Sequence, residues 1–473
     1  MDIESSKIIK IIKNNILLIF SIPIFINFIL NLMHNSNNIF FEEFEIAKLI
    51  SLTLGTIFFI YLSIFINNLF NFGGKSLSLV LFLSSYFILD VILLFISKKV
   101  SFHLWVIFVT LTWLIFIFYK TKNPLEILNL VIFFLIFRFF NYFFITDITN
   151  NIYYQELNTD VYVQWFEIAK MIYEHNYFLA LESNLISGQG LFPSYIQALL
   201  LEIGFGIENF KFIQINSFLF LSFSILLISD LQISKNNKII SSILFCILVL
   251  NNEWLKYLLV NSLMLEGIVS FFIAVYLYNF IRMYENRNLV SIWFFICFGG
   301  MILTKNFVSL ISLLLIIFSF FALKYKRYFI VSLFAFGVNL LYQNIYFSRL
   351  QSFAYTNEIN FKNLFLDFIH FRSLDFTNIF NILKQFIIDK PTTYLVLIFF
   401  IINLIRIYKK GFQLTFENLN FSFVLLNLFF INLLYISYWR NVEIQSSYRY
   451  IINCFHLIFI SSIIHLSKFE SVD

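Results

Sequence analysis

Residues Phe102 to Phe118 read Phe-His-Leu-Trp-Val-Ile-Phe-Val-Thr-Leu-Thr-Trp-Leu-Ile-Phe-Ile-Phe, an apolar run with no formal charge. A helix needs about 20 mainly apolar residues to cross the hydrocarbon of a bilayer. This run approaches that length, and lysines stand beyond both ends: Lys98 and Lys99 before it, Lys120 and Lys122 after it. It therefore reads as a membrane span.

The rest of the chain repeats the pattern. Of 473 residues, 60% are hydrophobic, 68 are Phe and only 12% are charged, whereas soluble domains are about 25% charged. So little polar material cannot coat a water-facing surface. The composition predicts an all-α polytopic membrane protein and excludes secreted disulfide scaffolds, coiled coils and soluble α/β enzymes. The net charge of +5 is not gathered into the basic face that nucleic acid requires. Cys246, Cys297 and Cys454 sit inside apolar runs, with no CxxC pair and no His at ligand spacing, which argues against disulfides and structural zinc. With 12 Gly and four Pro, the chain is poor in the residues that interrupt transporter helices.

Spans are expected at Ile16 to Met33, Leu49 to Phe70, Leu79 to Ile96, Phe102 to Phe118 and Leu125 to Phe144. Further spans follow from Phe212 to Ser229 onward, including Tyr394 to Ile407, Phe421 to Ile436 and Ile451 to His465, for about 14 in all. Short Lys- and Arg-rich loops stay in the cytoplasm. That rule puts Lys7, Lys10 and Lys13, Lys75, Lys120 and Lys122, Lys235 and Lys238, and Lys409 and Lys410 inside; Lys98 and Lys99 alone land on the wrong side. Both termini then lie in the cytoplasm, in the plasma (inner) membrane. The first apolar run lacks a small-residue cleavage site, so it is expected to remain as a span.

The first large outer segment, residues 147–209, is acidic: Asp147, Glu156, Asp160, Glu167, Glu174, Glu182, Glu202 and Glu208 are opposed only by Lys170. Within it Trp165, Ile168, Ala169 and Ile172 recur at helical spacing, which predicts an amphipathic interfacial helix over Tyr162 to Tyr177. A short apolar run from Tyr195 to Ile203, after Pro193, is expected to lie in or re-enter the outer interface. A second outer segment covers residues 347–390.

The first outer segment reads Asn158-Thr159-Asp160-Val161-Tyr162-Val163-Gln164-Trp165, then Gly188-Gln189-Gly190-Leu191-Phe192-Pro193-Ser194-Tyr195, then Gly204-Phe205-Gly206. An acid just outside a span, an amphipathic helix, a Gly/Pro turn with aromatics and a short helix ending in Gly resemble the first extracytoplasmic loop of GT-C glycosyltransferases. These include protein mannosyltransferases and lipid A aminoarabinose transferases. Leu303-Thr304-Lys305-Asn306 is similar to that family's Leu-Thr-Lys-Gly segment, Leu265-Glu266-Gly267 sits where relatives carry an acid, and Ser446-Ser447-Tyr448-Arg449-Tyr450 resembles their late Arg-Tyr.

The resemblance spans about residues 126 to 466 and implies a GT-C-like module over 125–466, with residues 1–124 an added four-helix transmembrane extension. It implies transfer of a sugar from a polyprenyl-phosphate donor to an extracytoplasmic acceptor, which is a lipid, a glycan or a protein. Asp160 would be the catalytic base, Lys305 and Arg449 the donor-phosphate ligands, and Glu266, Tyr162 and Tyr448 further substrate-binding positions. Many relatives pair two adjacent acids, but Val161 follows Asp160; this argues against a divalent metal, and no cofactor is expected.

The chemistry agrees on independent grounds. An attacking hydroxyl or amine needs a carboxylate to take its proton, and a departing lipid phosphate is stabilised by Lys or Arg. Each residue also has a plainer role open to it. Asp160 is a good helix N-cap, Lys305 a snorkelling side chain, Arg449 an interfacial anchor, and Glu266 a partner for Lys256. His175 is expected to be a surface histidine, and Asp90 and Arg138 a buried ion pair. Two other functions stay open: a transporter or flippase of lipid-linked saccharides, and a polysaccharide polymerase or ligase centred on residues 347–390.

Overall fold

The computed structural model describes residues 39–94, 100–121, 124–140, 166–175, 192–202, 215–231, 238, 240–245, 273–282, 330, 333–334, 337, 390–413, 415–437 and 456–464. Among these residues the regular structure is helical and contains no strand. The run quoted at the outset is the one described helix long and apolar enough to cross a membrane alone, Phe102–Lys120; a bent pair, Leu54–Phe70 with Lys75–Asp90, passes the same test jointly. The described residues therefore do not establish a count of about 14 spans. The chain divides into two compact units, residues 1–177 with 194–264 and 467–473, and residues 178–193 with 265–466.

In the first unit, α1 (Ile39–Phe70) starts well before the expected Leu49. Glu42, Glu43 and Glu45 fall within it rather than in a connecting loop, because Glu is a good helix former and an acid near a helix N-terminus is favoured by the backbone dipole. The helix closes on Asn71, which takes a left-handed φ of 51° while its N–H bonds Asn67 O at 2.8 Å, the usual way of satisfying a terminal carbonyl. Gly73, at φ 94°, then permits a tight exit. The next helix, α2 (Lys75–Leu94), leaves with its axis bent by 95° from that of α1. A simple up-and-down hairpin, as expected from the sequence, would turn the chain much further.

Helix α3 (Phe102–Lys120) is N-capped by Ser101, whose side chain accepts from Leu104 N, and it ends where Thr121 N bonds Ile117 O. It buries Phe102, Trp105, Val106, Val109 and Ile117, one stripe at helical spacing. Its other face leaves Leu104, Ile107, Phe108, Leu111, Ile115 and Phe116 exposed. Helix α4 (Pro124–Phe140) starts on Pro, whose missing N–H costs nothing at that position. It runs antiparallel to α1: Phe137 stacks on Phe58 with centroids 5.8 Å apart, and Phe133 lies 5.3 Å from Tyr61.

Helix α5 (Phe166–Glu174) realises the expected amphipathic segment, burying Ile168, Ala169 and Ile172 against α3. Helix α6 (Phe192–Leu200) forms where the short apolar run was expected, and Tyr195, Ile196, Ala198, Leu199 and Leu200 on it are wholly buried. Helix α7 (Ile215–Leu231) packs on α1 and α2 with buried Ser222, Ser224 and Ser229. Such small side chains let helices approach closely.

In the second unit, α8 (Lys390–Lys410) and α9 (Phe416–Ser437) form an antiparallel pair. Gly411 at φ 68° supplies the left-handed turn, and Thr415 Oγ1 accepts from Asn418 N at 3.3 Å as the N-cap of α9. Arg406 meets Glu417 at 3.5 Å, while Phe399 and Phe400 pack on Phe421. A buried helix over 456–464 joins them: Asn420 Nδ2 donates to Ser461 Oγ at 2.8 Å and Ser462 Oγ to Leu395 O at 3.3 Å.

Candidate functional site

Asp160, Tyr162, Glu266, Lys305, Tyr448 and Arg449 all lie outside the described residues. What the described residues do bring together is two polar clusters at opposite ends of the first unit.

At one end the start of α3 meets the end of α5 and the end of α6. Phe102 N donates to His175 O at 2.9 Å, tying α3 to α5 through the backbone. His103 Nδ1 lies 2.7 Å from Glu202 Oε2, with side-chain exposures of 42% and 23%. Leu201 and Glu202 continue α6 as a π-turn, a local widening often found where a helix end is put to use. The Tyr173 ring stands edge-on to His103 with centroids 4.9 Å apart. Partial burial, and then the negative charge of Glu202, push the Tyr173 hydroxyl above its ordinary range, while Arg138 pulls it the other way. His175 is exposed, as expected, and contributes its carbonyl rather than its ring.

Beneath this rim lies a second layer. The Tyr195 hydroxyl donates to Tyr86 O at 3.2 Å, Trp105 Nε1 donates to the same carbonyl at 3.1 Å, and Tyr86 Oη is 3.0 Å from Thr110 Oγ1. The expected Asp90–Arg138 ion pair is not formed: Arg138 is exposed on α4, and Asp90 lies beside Tyr195.

At the opposite end the start of α2 meets the end of α7. Asp230 accepts from Lys75 N at 3.0 Å, from Ser76 N at 2.9 Å and from Ser76 Oγ at 2.8 Å. Helix α2 is thus N-capped by a carboxylate from another helix, which serves its unpaired N–H groups and its positive end together. Lys75 Nζ donates to Ser229 Oγ at 3.3 Å, and Ser63 Oγ donates to Lys75 O.

His103 and Glu202 were not singled out by sequence. The signal was a histidine at the head of an apolar run and an acid at the tail of another, 99 residues apart, with nothing to pair them. Among the described residues no three His, Cys, Asp or Glu side chains gather at metal-binding distance. Comparison with family models, curated proteins and solved structures returned no match.

Proposed function

We propose that the chain is a polytopic membrane glycosyltransferase of about 14 spans. It moves a sugar from a polyprenyl-phosphate donor to an extracytoplasmic acceptor by one inverting displacement. Asp160 takes the proton of the acceptor hydroxyl or amine as its oxygen or nitrogen bonds to the anomeric carbon. The bond from that carbon to the phosphate oxygen breaks, and polyprenyl phosphate leaves against Lys305 and Arg449. Glu266, Tyr162 and Tyr448 contribute to substrate binding.

One observation supports this assignment most. The acidic segment forms an amphipathic helix, α5, and a short helix, α6, at the end of the first unit remote from Lys75 and Lys120. That is the arrangement expected if the segment covers the face opposite the basic loops. The direct trial is sugar transfer in membranes carrying Asp160→Asn. Loss of a general base lowers the rate by about 10²- to 10⁴-fold; retention of full activity would remove Asp160 from the mechanism.

A second assignment draws on the bend between α1 and α2. An interrupted helix pair whose break is held by Lys75 and Asp230 is a feature of transporters, in which helix termini face an ion or substrate. Movement of an intact lipid-linked saccharide across vesicles, with no sugar transferred, would favour a flippase.

A further inference from the structure

Resting on the transferase assignment, we propose that His103, turned by Glu202, binds a hydroxyl of the extracytoplasmic acceptor through Nε2. Glu202 Oε2 engages Nδ1 at 2.7 Å, so Nε2 is the ring nitrogen left to meet a ligand, and a hydroxyl, which both donates and accepts, suits it. The contacts of His103 are Glu202 and the rings of Phe102 and Tyr173, which leaves Nε2 without a hydrogen-bond partner among the described residues. The side chain is 42% exposed, so a ligand can reach it.

The ring is also held in place. Glu202 holds it at Nδ1, and the rings of Phe102 and Tyr173 lie against it. As a surface tie alone, such a pair contributes little to stability. The same groups suit a sugar alcohol, with a ring nitrogen for the hydroxyl, a carboxylate behind it and an aromatic ring beside it. Glu202 is a positioning residue here; Tyr173 is the other titratable group against the ring, and Arg138 acts on Tyr173 in turn.

The test uses membranes containing the full chain, a radiolabelled polyprenyl-phosphate hexose and the endogenous acceptors. His103→Asn sets an amide nitrogen near the place of Nδ1, keeps a donor for Glu202 and removes Nε2. The maximal rate should fall about tenfold, the equivalent of one hydrogen bond, with protein level and donor half-saturation unchanged. His103→Gln, whose amide oxygen comes near the place of Nε2, should recover part of the loss. A full rate in His103→Asn overturns the proposal, as does a raised donor half-saturation or a loss that His103→Gln does not lessen. If the wild-type chain transfers nothing, the transferase assignment falls and takes this proposal with it. A full rate in His103→Asn beside an inactive Asp160→Asn refutes only the role of His103.

Discussion

Tyr195 donates its one phenolic proton to the Tyr86 carbonyl and lies beside the Asp90 carboxyl. Its ring is wedged at the same time between Phe87 and Phe102, with centroids 5.2 and 5.4 Å away. Shape and hydrogen bonding therefore separate cleanly at this residue. Tyr195→Phe keeps the ring and removes the hydroxyl with its buried bond to Tyr86 O, so it should cost about 1 kcal/mol. Thermal unfolding of the solubilised chain would measure this, and Asp90→Asn, which retains a polar partner, should cost less than Asp90→Ala. None of this was legible in sequence. Asp90 was visible as a charge inside an apolar run, and Arg138 was the obvious candidate to balance it. Tyr195 appeared only as the first residue of a short apolar run, since the spacing of residues along a chain does not reveal which two helices will touch.

Helix α2 depends on a cap it does not own. Asp230 accepts three hydrogen bonds from Lys75 and Ser76, so α7 and α2 hold each other at their ends. Asp230→Ala removes all three and leaves the N–H groups of Lys75 and Ser76 without their acceptor. The expected loss is about 2 to 4 kcal/mol, read as a lowered unfolding midpoint. Asp230→Asn, whose amide oxygen still accepts from Ser76 N, should lose clearly less. Equal losses in the two variants would mean that packing at the end of α7, not capping, is what matters. Helices α3 and α5 were legible because each has its own pattern: continuous apolarity for one, an apolar stripe among charges for the other. The burial of α6 was not, because an apolar run looks the same whether lipid or protein covers it. The early start of α1 was missed because hydropathy counts Glu42, Glu43 and Glu45 against a span, although they favour the helix itself.

Across the whole molecule, large apolar side chains stay exposed along α3, α4 and α8: Phe108 and Ile115, Leu128 and Phe139, Leu397 and Leu404. Exposed apolar faces of this extent are rare on a soluble chain, and α3 is long and apolar enough to cross a membrane. Lys75 and Lys120 stand at one end of the first unit, and α5 packs at the other. The transferase assignment places that helix outside the cell. Glu174 on α5 is exposed, and Lys120 closes α3 at the far end. In a chain with Cys246, Cys297 and Cys454 replaced, Glu174→Cys should react with a membrane-impermeant maleimide in intact cells, and Lys120→Cys only after permeabilisation. Labelling of Lys120→Cys in intact cells, with Glu174→Cys protected until permeabilisation, would put the acidic segment in the cytoplasm and contradict an outer-face enzyme.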